Sequence, residues 1–490
     1  MRITRPSDLA LSMHDVPRGN TRTRLADELR RAILGGRVRA GDALPSSRAL
    51  AASLGVARGT VVAAYDDLAG EGYAEVRPGA GTFVAAVPAG AVPTASVLYV
   101  AASPAPTPAP APASAPDASA AGASINLSPG HPSTRSFPHR EWAAAWRGAL
   151  ASALPGDEPP ASGLPQLREQ IARHLRPSRG IECGADDVIV VAGTRDALAL
   201  LTLTLAGSLG GAPRIACELP GHRGGRRTLV AAGAERVPIP VVDGGMDLAA
   251  LHGAGRIDAA LVTPSHQFPL GGRLDVSRRL ELLEWAEARD ALVIEDDYDS
   301  EFRHGASVLP AMASLDRSGR VLHVGSFSKV LSPWLRLGYI VTTNGRLRDE
   351  LLAVRTELGS TVPGMVQDAL ARYMASGALR RHLARARRQY AHRRRLIVHA
   401  LEPVAAASGG AVALDALDGG LHAVISWPLA DERGVAVRAA LARRSVLCAD
   451  LDEYYGCDGP APRDGIVIGY GACTDVELGL VLEDLRVALG

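Results

Sequence analysis

Apolar positions between Thr21 and Leu68 recur at the spacing of short helices, with small-residue turns between them. Leu25, Leu29 and Ile33 share one face of a helix that Gly35-Gly36 ends. Gly41-Asp42 and Pro45 turn the chain, and Ser46 or Ser47 caps a second helix, S-R-A-L-A-A-S-L, which Gly55 stops. In the next stretch, A-R-G-T-V-V-A-A-Y-D-D-L, Val61, Tyr65 and Leu68 form another apolar face. The segment G-Y-A-E-V-R-P-G-A-G-T-F-V then alternates like a hairpin with glycines at its tip. Two short helices joined by a glycine turn, with a hairpin behind them, predict a winged helix-turn-helix domain over 18–86.

Over 87–124 the periodicity disappears. The composition there is almost entirely Ala, Pro, Ser, Thr, Gly and Val, which buries no core and favours an extended spacer. The apolar S-V-L-Y-V-A at Ser96–Ala101 is the one stretch able to dock transiently. From Ile125 onward, apolar strand-like runs alternate with helical stretches, the sign of a mainly parallel α/β sheet with helices on both faces. Strands are predicted to end at Gly193, Leu219, Pro264, Asp296 and Ser326. The arginine-rich helix Ala378–Leu401 leads into a smaller C-terminal part, about 380–490, with strands G-L-H-A-V-I-S-W and I-V-I-G-Y-G. A solvated face, a dimer contact and a second DNA-facing surface all remain open for that helix.

With 490 residues, 47% hydrophobic and 21% charged, the chain can bury two or three cores. Its net charge of +1 excludes nucleic-acid binding by overall charge. Locally, Arg18 to Val84 carries ten arginines against seven acids. The start of the second helix of such a pair enters the major groove, which aims Arg58 and Thr60 at base edges and phosphates and Arg48 at the backbone. A small protein-interaction domain with Arg58 merely solvated fits the pattern too. The five cysteines are scattered without metal-ligand spacing, as expected of buried free thiols in a reducing compartment. The N-terminus lacks a signal-peptide core and no 18-residue apolar run exists, so a soluble, cytoplasmic protein is expected.

Chemistry concentrates in G-S-F-S-K-V-L-S-P-W-L-R-L-G, Gly325 to Gly338. Lys329 is the only lysine in the chain; the other 52 basic residues counted with it are arginines. Arginine supplies charge, but only a primary amine condenses with an aldehyde. Ser326 and Ser328 add hydroxyls, and Arg336 adds a fork suited to phosphate. Together they describe a site for a phosphorylated aldehyde, of which pyridoxal 5′-phosphate (PLP) is the common one. In open α/β sheets ligands gather at the carboxyl ends of strands. There Gly193-Thr194-Arg195 opens a helix whose amides suit a phosphate. His222 either stacks on a pyridine ring or is a solvated loop histidine. The turn E-D-D-Y-D-S puts Asp296 and Tyr298 on one face by alternation, able to meet the pyridine nitrogen and the phenolic oxygen. Asp297 and Asp299 then face away, as a solvated acidic turn. The loop S-H-Q-F-P-L-G carries no assignment.

The segment L-P-S-S-R-A-L-A-A-S-L-G-V-A-R-G-T-V-V-A-A-Y-D-D-L, followed by G-A-G-T-F-V, resembles the winged helix of GntR-family transcription regulators. That resemblance implies DNA contacts for Arg48, Arg58, Thr60 and Gly81, with Gly59 standing where a polar residue is common. The order Gly-Thr, Asp-x-Tyr, Ser-x-x-Lys, Arg resembles fold-type I aminotransferases. The whole chain resembles the MocR-type subgroup, which joins the two through a linker, by runs such as T-P-S-H-Q-F-P-L-G, I-E-D-D-Y-D-S-E-F-R and L-R-R-H-L-A-R-A-R-R-Q-Y. It implies an aminotransferase-like domain over 125–490, an imine on Lys329, and Asp296 and Tyr298 on the cofactor ring. It also implies a phosphate held by Ser326, Arg336 and the amides near Thr194, and a homodimer.

Three departures stand out. His222 replaces the usual stacking tyrosine, a tyrosine is missing from A-L-P-G-D-E-P-P-A-S-G-L, and Val467 stands where aminotransferases hold the substrate carboxylate with arginine. Arg223 or Arg226 could take over that clamp. The reading is a dimeric PLP-responsive regulator of double-stranded operator DNA with repeated half-sites, its effector PLP or an amine sensed through PLP. A PLP-dependent aminotransferase with an accessory DNA-binding domain is the alternative, and residual half-reactions fit either. A cofactor-free repressor is a third, against which Lys329 speaks.

Overall fold

The computed structural model describes residues 21–34, 37–70, 73–77, 81–85, 124–304 and 309–490. The 87–124 spacer, its Ser96–Ala101 stretch and the tip of the wing fall outside these, apart from residue 124. The chain divides into two compact units.

In the N-terminal unit, helices α1 (Thr21–Leu34), α2 (Ser47–Leu54) and α3 (Arg58–Gly70) precede the hairpin strands β1 (Ala74–Arg77) and β2 (Gly81–Val84). Leu25, Leu29, Leu50, Val61, Tyr65, Leu68 and Phe83 make its core, as the helical spacing requires. Ser46 is the cap of α2: its Oγ accepts from Ala49 N at 3.2 Å, and Gly55 closes the helix at φ 65°. The Tyr65 hydroxyl donates to Pro45 O at 2.7 Å, which ties α3 to the turn before α2.

The second unit carries two larger sheets. The strands are β3 (Ile125–Asn126), β4 (Val188–Val191), β5 (Arg214–Leu219), β6 (Glu235–Val242), β7 (Gly245–Met246), β8 (Ala259–Val262), β9 (Leu292–Asp297), β10 (Val321–Ser326) and β11 (Gly338–Val341). Eight of them form one sheet in the order β4-β11-β10-β9-β8-β5-β6-β7. From β10 to β6 neighbouring strands are parallel, while β11 runs antiparallel to both β10 and β4. Ile189, Val191, Ile294 and Ile340 point into one core, and Val188, Val190, Tyr339 and Val341 into the other. Cores on both faces explain why these strands read as unbroken apolar runs. The small sheet orders β12 (Ala413–Asp415), β13 (His422–Trp427), β16 (Asp464–Gly469) and β15 (Ala449–Asp450), while β14 (Val446–Leu447) pairs with β3. The long helix Ala378–Ala407 buries Leu379, Leu383, Ala386, Tyr390, Ile397 and Leu401 along one side. No helix among the described residues is long and apolar enough to cross a membrane. All five cysteines are free, but Cys457 is exposed, so burial does not hold for every thiol; it sits in a surface 3-10 turn.

The five predicted strand ends fall at β4, β5, β8, β9 and β10. Because β11 reverses between β4 and β10, Gly338 lies opposite Val191 on one side and Ser326 on the other, while Gly325 pairs with Asp297. The chain ends meet so closely that a Cβ on Gly338 would stand 2.7 Å from Gly325 O and 2.9 Å from Gly193 Cα. Both neighbours are backbone and cannot swing aside. We therefore expect Gly338→Ala to lower unfolding stability by about 1–3 kcal/mol, measured by denaturant titration; an unchanged midpoint would show that this edge can relax.

Candidate functional site

Lys329 follows β10 and its side chain is half-buried. Gly130, at φ 81°, packs so tightly against it that a Cβ there would stand 2.5 Å from Nζ. Burial pushes the amine's pKa down, Asp296 and Asp299 pull it back up, and Arg195 adds to the lowering. Among the described residues nothing hydrogen-bonds or ion-pairs with Nζ. Desolvation enlarges the neutral fraction, which is the nucleophilic one.

Asp296, buried at the end of β9, is close to two groups. The Thr194 hydroxyl donates to its Oδ1 at 3.4 Å, and His222 Nδ1 stands 3.6 Å from Oδ2. Next along the sheet, Glu218 on β5 is buried and accepts from Thr263 N at 3.2 Å and Thr263 Oγ1 at 2.5 Å. Burial, reinforced by Asp296, raises its pKa to about 7 against these hydrogen bonds.

The strand ends at Asp297, so alternation stops before Tyr298 and the expected solvated turn is not what forms. Asp297 is buried against Arg179, Nε to Oδ2 2.6 Å, with His323 Nε2 at 3.7 Å. Asp299 is also buried, and both its carboxylate and the Tyr298 hydroxyl lie 3.0 Å from the same atom, His266 Nδ1. Burial, then Asp299 and Asp296, push the Tyr298 pKa well above its usual value. Sequence reasoning missed Arg179, His266 and Glu218. The first is a helix residue some hundred positions from its partner, the second lay in a loop without assignment, and the third read as a strand residue.

On the far side of Lys329, Gly193 at φ 89° precedes the helix Thr194–Leu209, whose first amides have no side-chain cap. Ser326 Oγ accepts from Ser328 N at 3.1 Å. Arg336 sits just before β11 with an exposed guanidinium and a left-handed backbone, φ 47°. For a residue with a Cβ that conformation costs about 1–2 kcal/mol, so the neighbouring structure holds it there. Arg195 is exposed and reaches the first turn of the helix Arg223–Ala231: a Cβ on Gly224 would meet its Nη2 at 2.8 Å. His222 precedes that helix and meets Phe268 edge-on, ring centroids 6.1 Å apart.

Where a carboxylate clamp would stand, Val467 on β16 is fully buried with Val424, Leu451 and Tyr454, and Phe268 packs against them. The two substitute arginines are engaged elsewhere. Arg223 pairs with Glu453; Arg226 donates to Tyr454 O at 2.5 Å and pairs with Asp458 at 3.4 Å.

In the N-terminal unit, Arg48 and Arg58 are exposed at the starts of α2 and α3. Arg58 Nε donates to Ser47 Oγ at 3.2 Å, which brings the two helix starts together. Thr60 is half-buried in the first turn of α3, Gly59 beside it faces open space, and Gly81 opens β2 at φ 111°.

Comparison with known proteins matches both units. Residues 21–84 match the family described as bacterial regulatory proteins, gntR family, and residues 124–448 match aminotransferase class I and II. The chain is 38% identical over 483 residues to the HTH-type pyridoxine biosynthesis transcriptional regulator PdxR of Corynebacterium glutamicum, covering 99% of both. It is 35% identical over 470 residues to the probable rhizopine catabolism regulatory protein MocR of Rhizobium meliloti, covering 95% of this chain and 92% of the relative. An archaeal alanine:glyoxylate aminotransferase superposes with a TM-score of 0.67 at 21% identity, over 75% of this chain and 90% of the other, which establishes a shared fold.

Glu218 gives this site a pH signature. Its folded pKa lies above that of an unfolded glutamate, so its contribution is fully present below about pH 4.5 and is lost as pH rises through about 7. Glu218→Gln keeps an acceptor for Thr263 without the charge. Its stability relative to the parent should climb between those pH values and level off above them. Denaturant midpoints across that range check this, and a flat difference would mean the carboxyl ionises without penalty.

Proposed function

The chain belongs to the MocR-type branch of the GntR transcription regulators, a winged helix-turn-helix joined to a fold-type I aminotransferase domain, and from that premise we propose that it binds PLP and reads it as a signal. The observation that carries the proposal is Lys329: the chain's single primary-amine side chain, desolvated, without a hydrogen-bond partner, and within electrostatic reach of Asp296.

The residues fit the group. A lysine needed only for charge would be solvated or paired, and this one is neither. Asp296 retains its charge beside the site and suits a protonated pyridine nitrogen. Thr194 and the open amides of its helix, Ser326 and Arg336 ring the crowded edge made by Gly193, Gly325 and Gly338, and they suit a phosphate. His222, already edge-on to Phe268, is the candidate for stacking, and Tyr298 for the phenolic oxygen. When bound, PLP supplies an aldehyde for Lys329 and a ring that withdraws electrons from whatever it holds.

Val467 favours regulation over turnover. An α-carboxylate placed there would meet Tyr454, Phe268 and Leu451 instead of a guanidinium, and would lose charge-assisted hydrogen bonds of roughly 1.5–3 kcal/mol. PLP itself, or an amine lacking that carboxylate, is thus the effector, and the targets include genes for the supply of the cofactor, as the printed name of the PdxR relative suggests. The protein acts as a cytoplasmic homodimer on repeated half-sites, with Arg48, Arg58, Thr60 and Gly81 against DNA and residues 87–124 as an extended tether.

Two measurements test this. Purified protein should take up PLP with a visible absorbance band that Lys329→Ala abolishes; a protein that stays colourless in excess PLP would end the cofactor reading. Arg58→Ala should weaken binding to the region upstream of its own gene about tenfold or more, since one good base or phosphate contact is worth about 1–3 kcal/mol. Footprints with and without PLP would then show whether the cofactor alters the contact, and unchanged binding by the variant would reject this docking.

A further inference from the structure

Three buried polar groups stand behind the tyrosine of the candidate site, and the proposed function does not use two of them. His266 and Asp299 are each 3% exposed, deep beneath Tyr298. Asp299 Oδ2 and the Tyr298 hydroxyl both lie 3.0 Å from His266 Nδ1. Gly420, at φ 67°, closes over them: a Cβ there would stand 2.1 Å from Asp299 Oδ2 and 2.9 Å from His266 Nδ1. His266 Nε2 is buried and makes no hydrogen bond.

These contacts fix where the hydrogens lie. An ionised carboxylate only accepts, so Asp299 requires the hydrogen of His266 on Nδ1. Nε2 is then a bare lone pair; protonating it would bury an N–H with no acceptor, which costs more. With Nδ1–H shared between Asp299 and the phenol oxygen, Tyr298 is an acceptor on that side. Its own hydrogen is therefore available on the other side. Remove His266, and the nearest strong acceptor for that hydrogen is the unpartnered carboxylate of Asp299.

Resting on the PLP reading above, we propose that His266, with its Nδ1–H fixed by Asp299, is the positioning residue that keeps the Tyr298 hydroxyl hydrogen free for the phenolic oxygen of a bound PLP. A donor aimed at that oxygen favours its anionic form and so lowers the pH at which the chromophore loses its proton. The other charged or titratable groups acting on this trio are Asp296, Glu218, His304, His422 and Lys329. His422 donates Nε2–H to Pro269 O at 2.9 Å, its ring centroid is 5.0 Å from that of His266, and burial lowers its pKa to about 4. It therefore stays neutral across the range that matters. His266, Asp299 and His422 also have possible ligand atoms within 4.8 Å of one another, which makes a bound metal the competing reading.

The test is a pH titration of the visible absorbance of full-length, PLP-loaded protein. Tyr298→Phe should raise the midpoint by about one unit or more, a tenfold change in proton affinity. His266→Leu should move it at least half as far in the same direction. His266→Asn can place an N–H near the Nδ1 position and should stay near the parent. In the Tyr298→Phe background, His266→Leu should add nothing. Should His266→Leu fail to hold PLP, the comparison passes to the PLP Kd, expected about tenfold weaker for Leu and near the parent for Asn.

A midpoint unmoved by His266→Leu while Tyr298→Phe shifts it would overturn the assignment and leave the PLP reading intact. Full additivity of the two changes would overturn it as well. So would a stoichiometric metal ion, measured by elemental analysis, that is lost with His266→Leu. A parent protein without any chromophore would remove both readings together.

Discussion

Everything at the candidate site follows from placing one amine out of water beside carboxylates that do not touch it. Lys329 gives up hydration without gaining a hydrogen bond, and Asp296 and Asp299 return part of that loss across a distance. Such a balance leaves the amine reactive; a direct ion pair would hold it charged and inert. The surrounding backbone enforces it. Gly130 leaves no room for the ammonium to turn that way, and Gly338, wedged between Gly325 and Gly193, keeps the strand ends too tight to drift apart. A side chain at either glycine would change the distance on which the balance depends.

Much of this was legible in the sequence, and for identifiable reasons. Strands with cores on both faces carry apolar runs that end at turns, so β5 and β10 could be read to the residue. Lys329 stood out because the chain uses arginine everywhere else. Asp297 and Asp299 were misread because alternation was carried past the end of β9, where the chain turns and period-2 geometry no longer applies. Their partners, Arg179 and His266, come from segments far away in sequence, and local pattern holds no information about which distant cation a carboxylate will meet. Burial of four neighbouring acids is affordable only with such partners. Glu295 shows this too: it accepts from Met312 N and Ala313 N and bonds His323.

The arginines left at the mouth of the site tell a consistent story. Arg223 and Arg226 face acids and a carbonyl of the segment 453–458, so they order a loop and are not poised for an incoming carboxylate. Arg336 differs from both: it is exposed, held in a left-handed backbone, and makes no side-chain bond among the described residues. A guanidinium whose backbone is strained and whose five donors are open to solvent is arranged for a ligand, and its place before β11 puts it beside the uncapped start of the helix that follows β4.

Val467 decides what kind of ligand that arrangement serves. A transaminating site must hold its substrate at two points, the amine at the cofactor and the carboxylate at a cation, because one point leaves the reacting bond free to rotate. Here the second point is an apolar wall of Val467, Leu451, Tyr454 and Phe268, and hydrogen bonds on the ring side keep Tyr298 protonated. The cofactor is thus held while the usual substrate is not. For a switch that is sufficient: an effector needs only to bind one arrangement of the protein better than another, and a covalent bond to a single lysine, formed or withheld according to supply, provides that difference without any chemistry beyond it.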